Sequence, residues 1–193
     1  KIKGQTFFRA RLFFPAVLSG LTVSLIFKQV FNYGLPAIVE ALNIECLKTS
    51  LLGTTGGAVF AAIFVMLWQG GAMPIILFLS GLQTIPSEIT EAAAIDGANS
   101  KQTFWNIELP YLLPSISMGF IMALTGGLTA FDQIFALTGG GPSNSTTSIG
   151  LLVYNYAFSS NQYGYANAIA LILFAIIVLV SVLQLKLSSR FEV

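Results

Sequence analysis

From Lys48 to Glu88 the chain runs 39 residues without a charged side chain, and from Asp132 to Lys186 it runs another 53. A soluble domain is about 25% charged; here charged residues make up 9% against 55% hydrophobic, with a mean hydropathy of +0.80. That composition excludes a disordered segment, a basic nucleic-acid-binding surface and an ordinary cytosolic enzyme. The exterior of such a chain must meet lipid or other protein. Where lipid is the solvent, every backbone polar group needs an internal partner, which a helix supplies within one segment. The fold class expected is all-α: a polytopic membrane helical bundle.

The uncharged runs locate the spans. Between Arg11 and Lys28 lie 16 residues, about 24 Å of helix. With Lys28 snorkelling outward this predicts a span over 12–31, and Pro15 is placed in its first turn. Leu51 to Leu82 as one helix would be about 48 Å long, more than one crossing needs. Gln69-Gly70-Gly71-Ala72-Met73-Pro74 interrupts it. The segment reads as one long kinked helix projecting beyond the lipid, with a re-entrant break as the alternative. A third span is expected over 111–136 and a fourth over 163–187. Four transmembrane helices are therefore seen. Gly139 to Thr146 reads as a loop by its turn residues. Leu35, Ile38, Val39 and Leu42, and again Ile149, Leu152, Val153 and Tyr156, fall at helical spacing. Each set fits either a short helix on the membrane surface or one packed over the bundle.

Lys1, Lys3, Arg9 and Arg11 precede the first span, and Lys186 and Arg190 follow the last. The positive-inside rule places both termini in the cytoplasm, and four crossings agree with that. Residues 83–110 then face the cytoplasm. The chain has no His and one Cys, Cys46. It therefore lacks a Ser-His-Asp triad, a Cys-His pair, a His-based metal site and an internal disulfide. No catalytic residue, metal or cofactor is assigned to it, and there is no phosphate-binding G-x-x-x-x-G-K-[ST] loop.

Residues 83–110, QTIPSEITEAAAIDGANSKQTFWNIELP, concentrate the signal. Ser87 is the expected cap of a helix over 88–96, with Glu88 and Glu91 near its positive end. Gly97 fits the left-handed residue that closes it. Ser100 is the expected cap of a second short helix to Glu108, with Pro110 opening the third span. Ile89, Ala92, Ala93 and Asp96 share one face of the first helix. Small residues flanked by carboxylates suit a docking element, and equally a hairpin packed on its own bundle.

Glu91-Ala92-Ala93, three residues, Gly97, nine residues, Ile107, one residue and Leu109-Pro110 together make the EAA–G–I-LP pattern. On these residues the chain resembles the membrane subunits of bacterial binding-protein-dependent ABC importers. Phe13-Phe14-Pro15-Ala16-Val17-Leu18-Ser19, Gly81 to Pro86, Ala94 to Ala98 and Phe131 to Pro142 are similar to the carbohydrate-type branch, the permeases for maltose-like sugars and glycerol phosphate. The resemblance covers essentially all 193 residues. It implies one permease domain, 1–193, in the bacterial inner membrane, with a coupling loop at about 83–110. Glu91, Ala92, Ala93, Asp96 and Gly97 would meet an ATPase. Partners implied are two ATPase subunits, a second permease subunit and an extracytoplasmic solute-binding protein. Such permeases usually have six spans, so two further spans are expected before Lys1.

Candidate substrate-pathway residues are Gln69, Asp132, Gln133, Asn155 and Tyr156, since sugar hydroxyls need hydrogen-bond partners and sugar faces stack on aromatic rings. The alternative for each is an interhelical hydrogen bond or an interfacial anchor. A permease for a non-carbohydrate solute, a passive channel and an ion-coupled transporter are the competing functions. The last would carry ionisable groups near the midplane, where these spans hold almost none.

Overall fold

The computed structural model describes residues 5–42 and 50–188. Cys46, Lys1, Lys3, Lys48 and Arg190 lie outside the described residues. The described chain is a succession of helices: α1 Gln5–Val17, α2 Gly20–Gln29, α3 Leu35–Ala41, α4 Thr55–Gly70, α5 Ala72–Gln83, α6 Ser87–Ile95, α7 Ser100–Thr103, α8 Leu109–Leu128, α9 Asp132–Leu137, α10 Ile149–Tyr154 and α11 Tyr163–Ser188. They fall into two compact units, one of residues 1–72 and 126–176, the other of 73–125 and 177–193.

Among the described residues, two helices are long and apolar enough to cross a membrane unbroken, Ser100–Leu128 and Tyr163–Lys186. Counting each of two broken pairs as one span gives four. The expected span over 12–31 is such a pair: α1 and the helix after it meet at 104°. Pro15 lies inside α1 near its end, not in a first turn. Proline cannot donate to the helix ladder and crowds the preceding turn. Two residues past α1, Ser19 is extended (φ −62°, ψ 132°) and a new helix begins. The long segment after Leu51 likewise breaks, at Gly71, between α4 and α5.

At Pro110 the sequence reading expected a helix start, and there, as at Pro36, the helix instead runs through. Leu35 N–H bonds to the Val30 carbonyl and Leu109 N–H to the Phe104 carbonyl, each closing a π turn, over Val30–Gly34 and Phe104–Glu108. Pro36 and Pro110 follow each turn by two residues. A widened turn there fits the clash between a proline ring and the carbonyl four residues back, without ending the helix. So α2 and α3 are one helix, not a span followed by a separate surface helix, and α7 continues into α8. Within α3, Val39 is buried while Ile38 is exposed, as is Leu42 just past its end. In α10 the expected face at Ile149, Leu152, Val153 and Tyr156 is only half-buried; Leu151 carries the packing at 1% exposure. The third span ends at Leu128 rather than 136, and Asp132 opens α9.

The core of the first unit joins Val23 and Phe31 to Ala61, Ala62, Val65 and Leu137. On α4, Ala58, Ala61, Ala62 and Val65 form the buried stripe at spacing i, i+3, i+4, i+7. Small side chains there let neighbouring backbones approach closely. A second cluster packs Ala130, Ile134 and Leu151. The expected glycine loop between α9 and α10 closes on itself. Thr146, buried, donates to the Gly141 carbonyl at 3.1 Å, and its hydroxyl lies 2.7 Å from that of Thr138. Ser148 caps α10 through Leu151 N–H and donates to the Ala130 carbonyl.

In the second unit, α5 and α8 lie close together. A Cβ built on Gly81 would sit 2.6 Å from Ser115 Oγ and 3.0 Å from Leu112 Cδ2, so a side chain there would force those two to shift. At Gly119 the Phe78 ring is 3.4 Å from the same point, an ordinary contact. The two arms leading into and out of residues 84–108 are thus held by direct backbone-to-side-chain packing.

Candidate functional site

Between those arms, residues 84–103 form an elbow of two short helices. Thr84 ends α5, its N–H and hydroxyl both bonding to the Gly81 carbonyl at 3.2 and 2.8 Å. Pro86, not Ser87, stands at the start of α6; Ser87 is already helical and makes no cap. Its fixed φ of −60° with ψ 133° sets the entry angle. Gly97 has φ +78°, as its place in the sequence predicted. Gly97 N–H bonds to Ala94 O at 3.1 Å and Ala98 N–H to Ala93 O at 2.9 Å. These two bonds are the paired closure of a Schellman motif. Nothing lies within 4 Å of a Cβ built on Gly97, so the backbone angle alone demands glycine. Asn99, rather than Ser100, caps α7: its Oδ1 accepts from Gln102 N–H at 3.0 Å, and Asn99 N–H donates to Gln102 Oε1 at 2.8 Å. This reciprocal capping box fixes the turn between the helices.

The face that α6 presents differs from the one expected. Ile89 and Ala93 are half-buried, while Ala92 and Asp96 are exposed. Glu88, Glu91, Ala92 and Ile95, spaced i, i+3, i+4, i+7, are all exposed. Ile95 is 86% exposed, the most exposed large apolar side chain among the described residues. Sequence reasoning missed Ile95. The signal was present: an isoleucine one helical turn after Glu91, beside the glycine that ends the helix. Glu91, Ala92, Ala93, Asp96 and Gly97 are therefore together on one elbow, with Ala93 turned inward.

The candidate pathway residues divide into two groups. Gln69 on α4 donates through Nε2 to the Leu18 carbonyl at 2.8 Å and accepts at Oε1 from Gln133 Nε2 at 2.8 Å. Leu18 is at the break between α1 and α2, where helical partners for a carbonyl are lost. Gly20 starts α2 with the Gln133 side chain 3.4 Å from where its Cβ would be. The two glutamines thus staple α4 and α9 to the broken helix. Elsewhere, Asp132 is exposed at the first position of α9. Asn155 begins a π turn over Asn155–Ser159, and Tyr156 lies ring to ring with Tyr165 at 4.7 Å. Among the hydrogen bonds described, Asn155 and Tyr156 use backbone carbonyls, accepting from Ser160 and Gln162 N–H. Phe131, Phe135, Tyr154 and Phe158 run as a chain of aromatic contacts, each 5.0–5.4 Å from the next.

The family model for the binding-protein-dependent transport system inner membrane component matches residues 5–193. The chain belongs to that family. Among its relatives in this family, the multiple sugar-binding transport system permease of Streptococcus mutans is 82% identical over 193 residues, which are 100% of this chain and 67% of that one. The trehalose/maltose transport system permease of Thermococcus litoralis is 33% identical, covering 100% of this chain and 65% of that one. A permease for starch degradation products from Thermoanaerobacterium thermosulfurigenes is 32% identical, with 100% and 66% covered. The chain thus spans about two thirds of the length of these relatives. In fold it matches a bacterial ABC transporter involved in the import of the acidic polysaccharide alginate, with a TM-score of 0.84 at 18% identity over 98% of this chain and 68% of that one. It also matches a second alginate transporter structure, determined with a periplasmic protein bound to alginate pentasaccharide, with a TM-score of 0.82 at 18% identity over 96% of this chain and 65% of that one. As a member of the inner membrane component family, the chain is a multi-pass, helical membrane protein.

Proposed function

We propose that this chain is a permease subunit of an ATP-driven importer for a sugar or oligosaccharide, coupled to a separate ATPase through the α6–α7 elbow. The relatives named for sugar transport support the carbohydrate reading over another solute, a channel or an ion-coupled carrier. The partners are ATPase subunits, a second permease subunit and an extracytoplasmic solute-binding protein; the last is supported by the periplasmic protein in complex with one structural neighbour. ATP hydrolysis belongs to the partner, and both termini of this chain face the cytoplasm.

The observation that carries the coupling role is the exposed face Glu88, Glu91, Ala92 and Ile95 on a helix closed by Gly97 and held between two packed arms. An apolar knob flanked by carboxylates fits a cleft with an apolar floor and a basic rim. Burying Ile95 there would contribute about 1.5–3 kcal/mol. Glu91 and Asp96 border the knob, Ala92 keeps the approach close, and Ala93 packs the helix inward. On the pathway side, Gln69 and Gln133 act by holding the helix break, and Asp132, Asn155 and Tyr156 are the groups proposed to reach solute.

Ile95→Asp and Glu91→Lys test this reading in the assembled transporter. Both positions are exposed on the elbow, so membrane insertion should stay near normal. Co-purification of the ATPase and solute-stimulated hydrolysis should fall together, by roughly tenfold or more for Ile95→Asp. Wild-type hydrolysis and uptake in both variants would remove the elbow from the coupling role.

A further inference from the structure

The helix that leaves the elbow carries two exposed side chains, Lys101 and Trp105, outside the α6 face Glu88, Glu91, Ala92 and Ile95 to which ATPase docking is assigned. Ser100–Leu128 is one continuous helix of 29 residues. Its last charged residue is Glu108, and Leu109 to Leu128 are 20 uncharged residues. At 1.5 Å per residue those span about 30 Å, the thickness of a bilayer's hydrocarbon core. Counting back from Leu109, Trp105 lies about 6 Å outside that core. The headgroup layer on each side is roughly 5–7 Å deep. Trp105 therefore falls at headgroup level. It is 64% exposed, with only the edge of Phe104 against it among the ring contacts described (5.6 Å). Lys101 is one helical turn further out, and exposed.

An indole at that depth has its favoured environment: the ring against the upper acyl chains, its N–H among headgroup oxygens. An ammonium one turn beyond it is attracted by anionic lipid, and its long stem can reach back to the surface. The same helix enters the hydrocarbon within one turn of Trp105, which sets the indole beside lipid. We propose that Trp105 and Lys101 seat the start of this helix in the anionic headgroup layer of the membrane, holding the elbow at the bilayer surface. This contact needs no ATPase, so it stands or falls separately from the coupling role of Glu91 and Ile95.

The chain has two tryptophans, Trp68 and Trp105. Trp68→Phe leaves Trp105 as this chain's emitter, and the assembled transporter, with phenylalanine in place of the partner subunits' tryptophans, is placed in lipid nanodiscs. Phosphatidylcholines brominated near the headgroup, at mid-chain or at the chain end report depth. Shallow bromines should quench Trp105 at least about twice as strongly as those at the chain end. Replacing part of the lipid with phosphatidylglycerol should shift its emission to the blue, and Lys101→Gln should abolish that shift. If Trp68→Phe does not insert, the same quenching is read as the difference between the unaltered protein and Trp105→Phe. Strong acrylamide quenching without bromine quenching, strongest quenching from the chain end, or a phosphatidylglycerol shift that survives Lys101→Gln would each overturn the proposal.

Discussion

At residue scale, Gly97 shows how one backbone angle shapes a surface. Its φ of +78° places it where a Cβ costs about 1–2 kcal/mol. Open space around it removes any steric explanation for that preference. Substitutions should therefore rank by their tolerance of the left-handed region, not by size. Gly97→Asn should keep most solute-stimulated ATP hydrolysis, Gly97→Ala should lose part of it, and Gly97→Val should lose it by roughly tenfold. Hydrolysis measured across the three variants at matched expression checks the order. A ranking by side-chain volume, with Asn worse than Ala, would point to an unseen contact instead. The positive φ was legible from the sequence because glycine at that distance past a capped run has few other uses. The identity of the caps was not: Pro86 and Asn99 took positions that Ser87 and Ser100 would also suit, and only the local turn geometry chose between them.

Between elements, two different devices hold helices together. In the α5–α8 pair the device is absence of a side chain. Gly81→Ala puts a Cβ 2.6 Å from Ser115 Oγ, and such overpacking costs about 1–3 kcal/mol. Gly119→Ala meets only an ordinary contact with Phe78. The first should lower the melting temperature of the purified protein, and the second should leave it within error. Equal effects would mean that the arms are held elsewhere. In the α1–α2 region the device is a polar staple. Gln69→Leu leaves the Leu18 carbonyl and Gln133 Nε2 without their partner; these groups are half-buried, so the cost should lie toward the lower end of the roughly 1–3 kcal/mol of a fully buried group. Gln69→Glu keeps the acceptor for Gln133 but loses the donor to Leu18. Both should reduce thermal stability, with Glu intermediate; unchanged melting in Gln69→Leu would show that the break holds without it. The glutamines drew attention in the sequence as polar groups in an apolar chain. The target of Gln69, a carbonyl freed by a helix break, was invisible because the break itself was read as a continuous span.

For the whole molecule, the testable quantity is which side of the membrane each loop occupies. The proposed topology, drawn from the charge pattern, predicts Ser100 and Ser188 on the cytoplasmic side and Ser143 and Asn161 outside. Cysteines introduced at Ser143 and Asn161 should react with an impermeant maleimide added to intact cells. Those at Ser100 and Ser188 should react only after permeabilisation. Outside labelling at Ser100 would invert the topology and detach the elbow from any cytoplasmic ATPase.

The long uncharged, continuously apolar runs pointed to a helical membrane protein, because a helix satisfies its backbone within one segment and a barrel strand would alternate apolar with polar residues. The sequence also determined the elbow's place and its closing glycine, and α11 over Tyr163–Ser188, since each is a local pattern with a local cause. Tertiary structure decided where helices break and where they continue. Pro15 precedes a 104° bend, yet Pro36 and Pro110 are carried inside continuous helices by π turns. Proline demands relief in all three cases, but the form of relief depends on what packs nearby. At the first break, Gln69 meets the freed Leu18 carbonyl and Gln133 packs on Gly20. Those partners lie 51 and 113 residues away along the chain, a separation that no local pattern encodes.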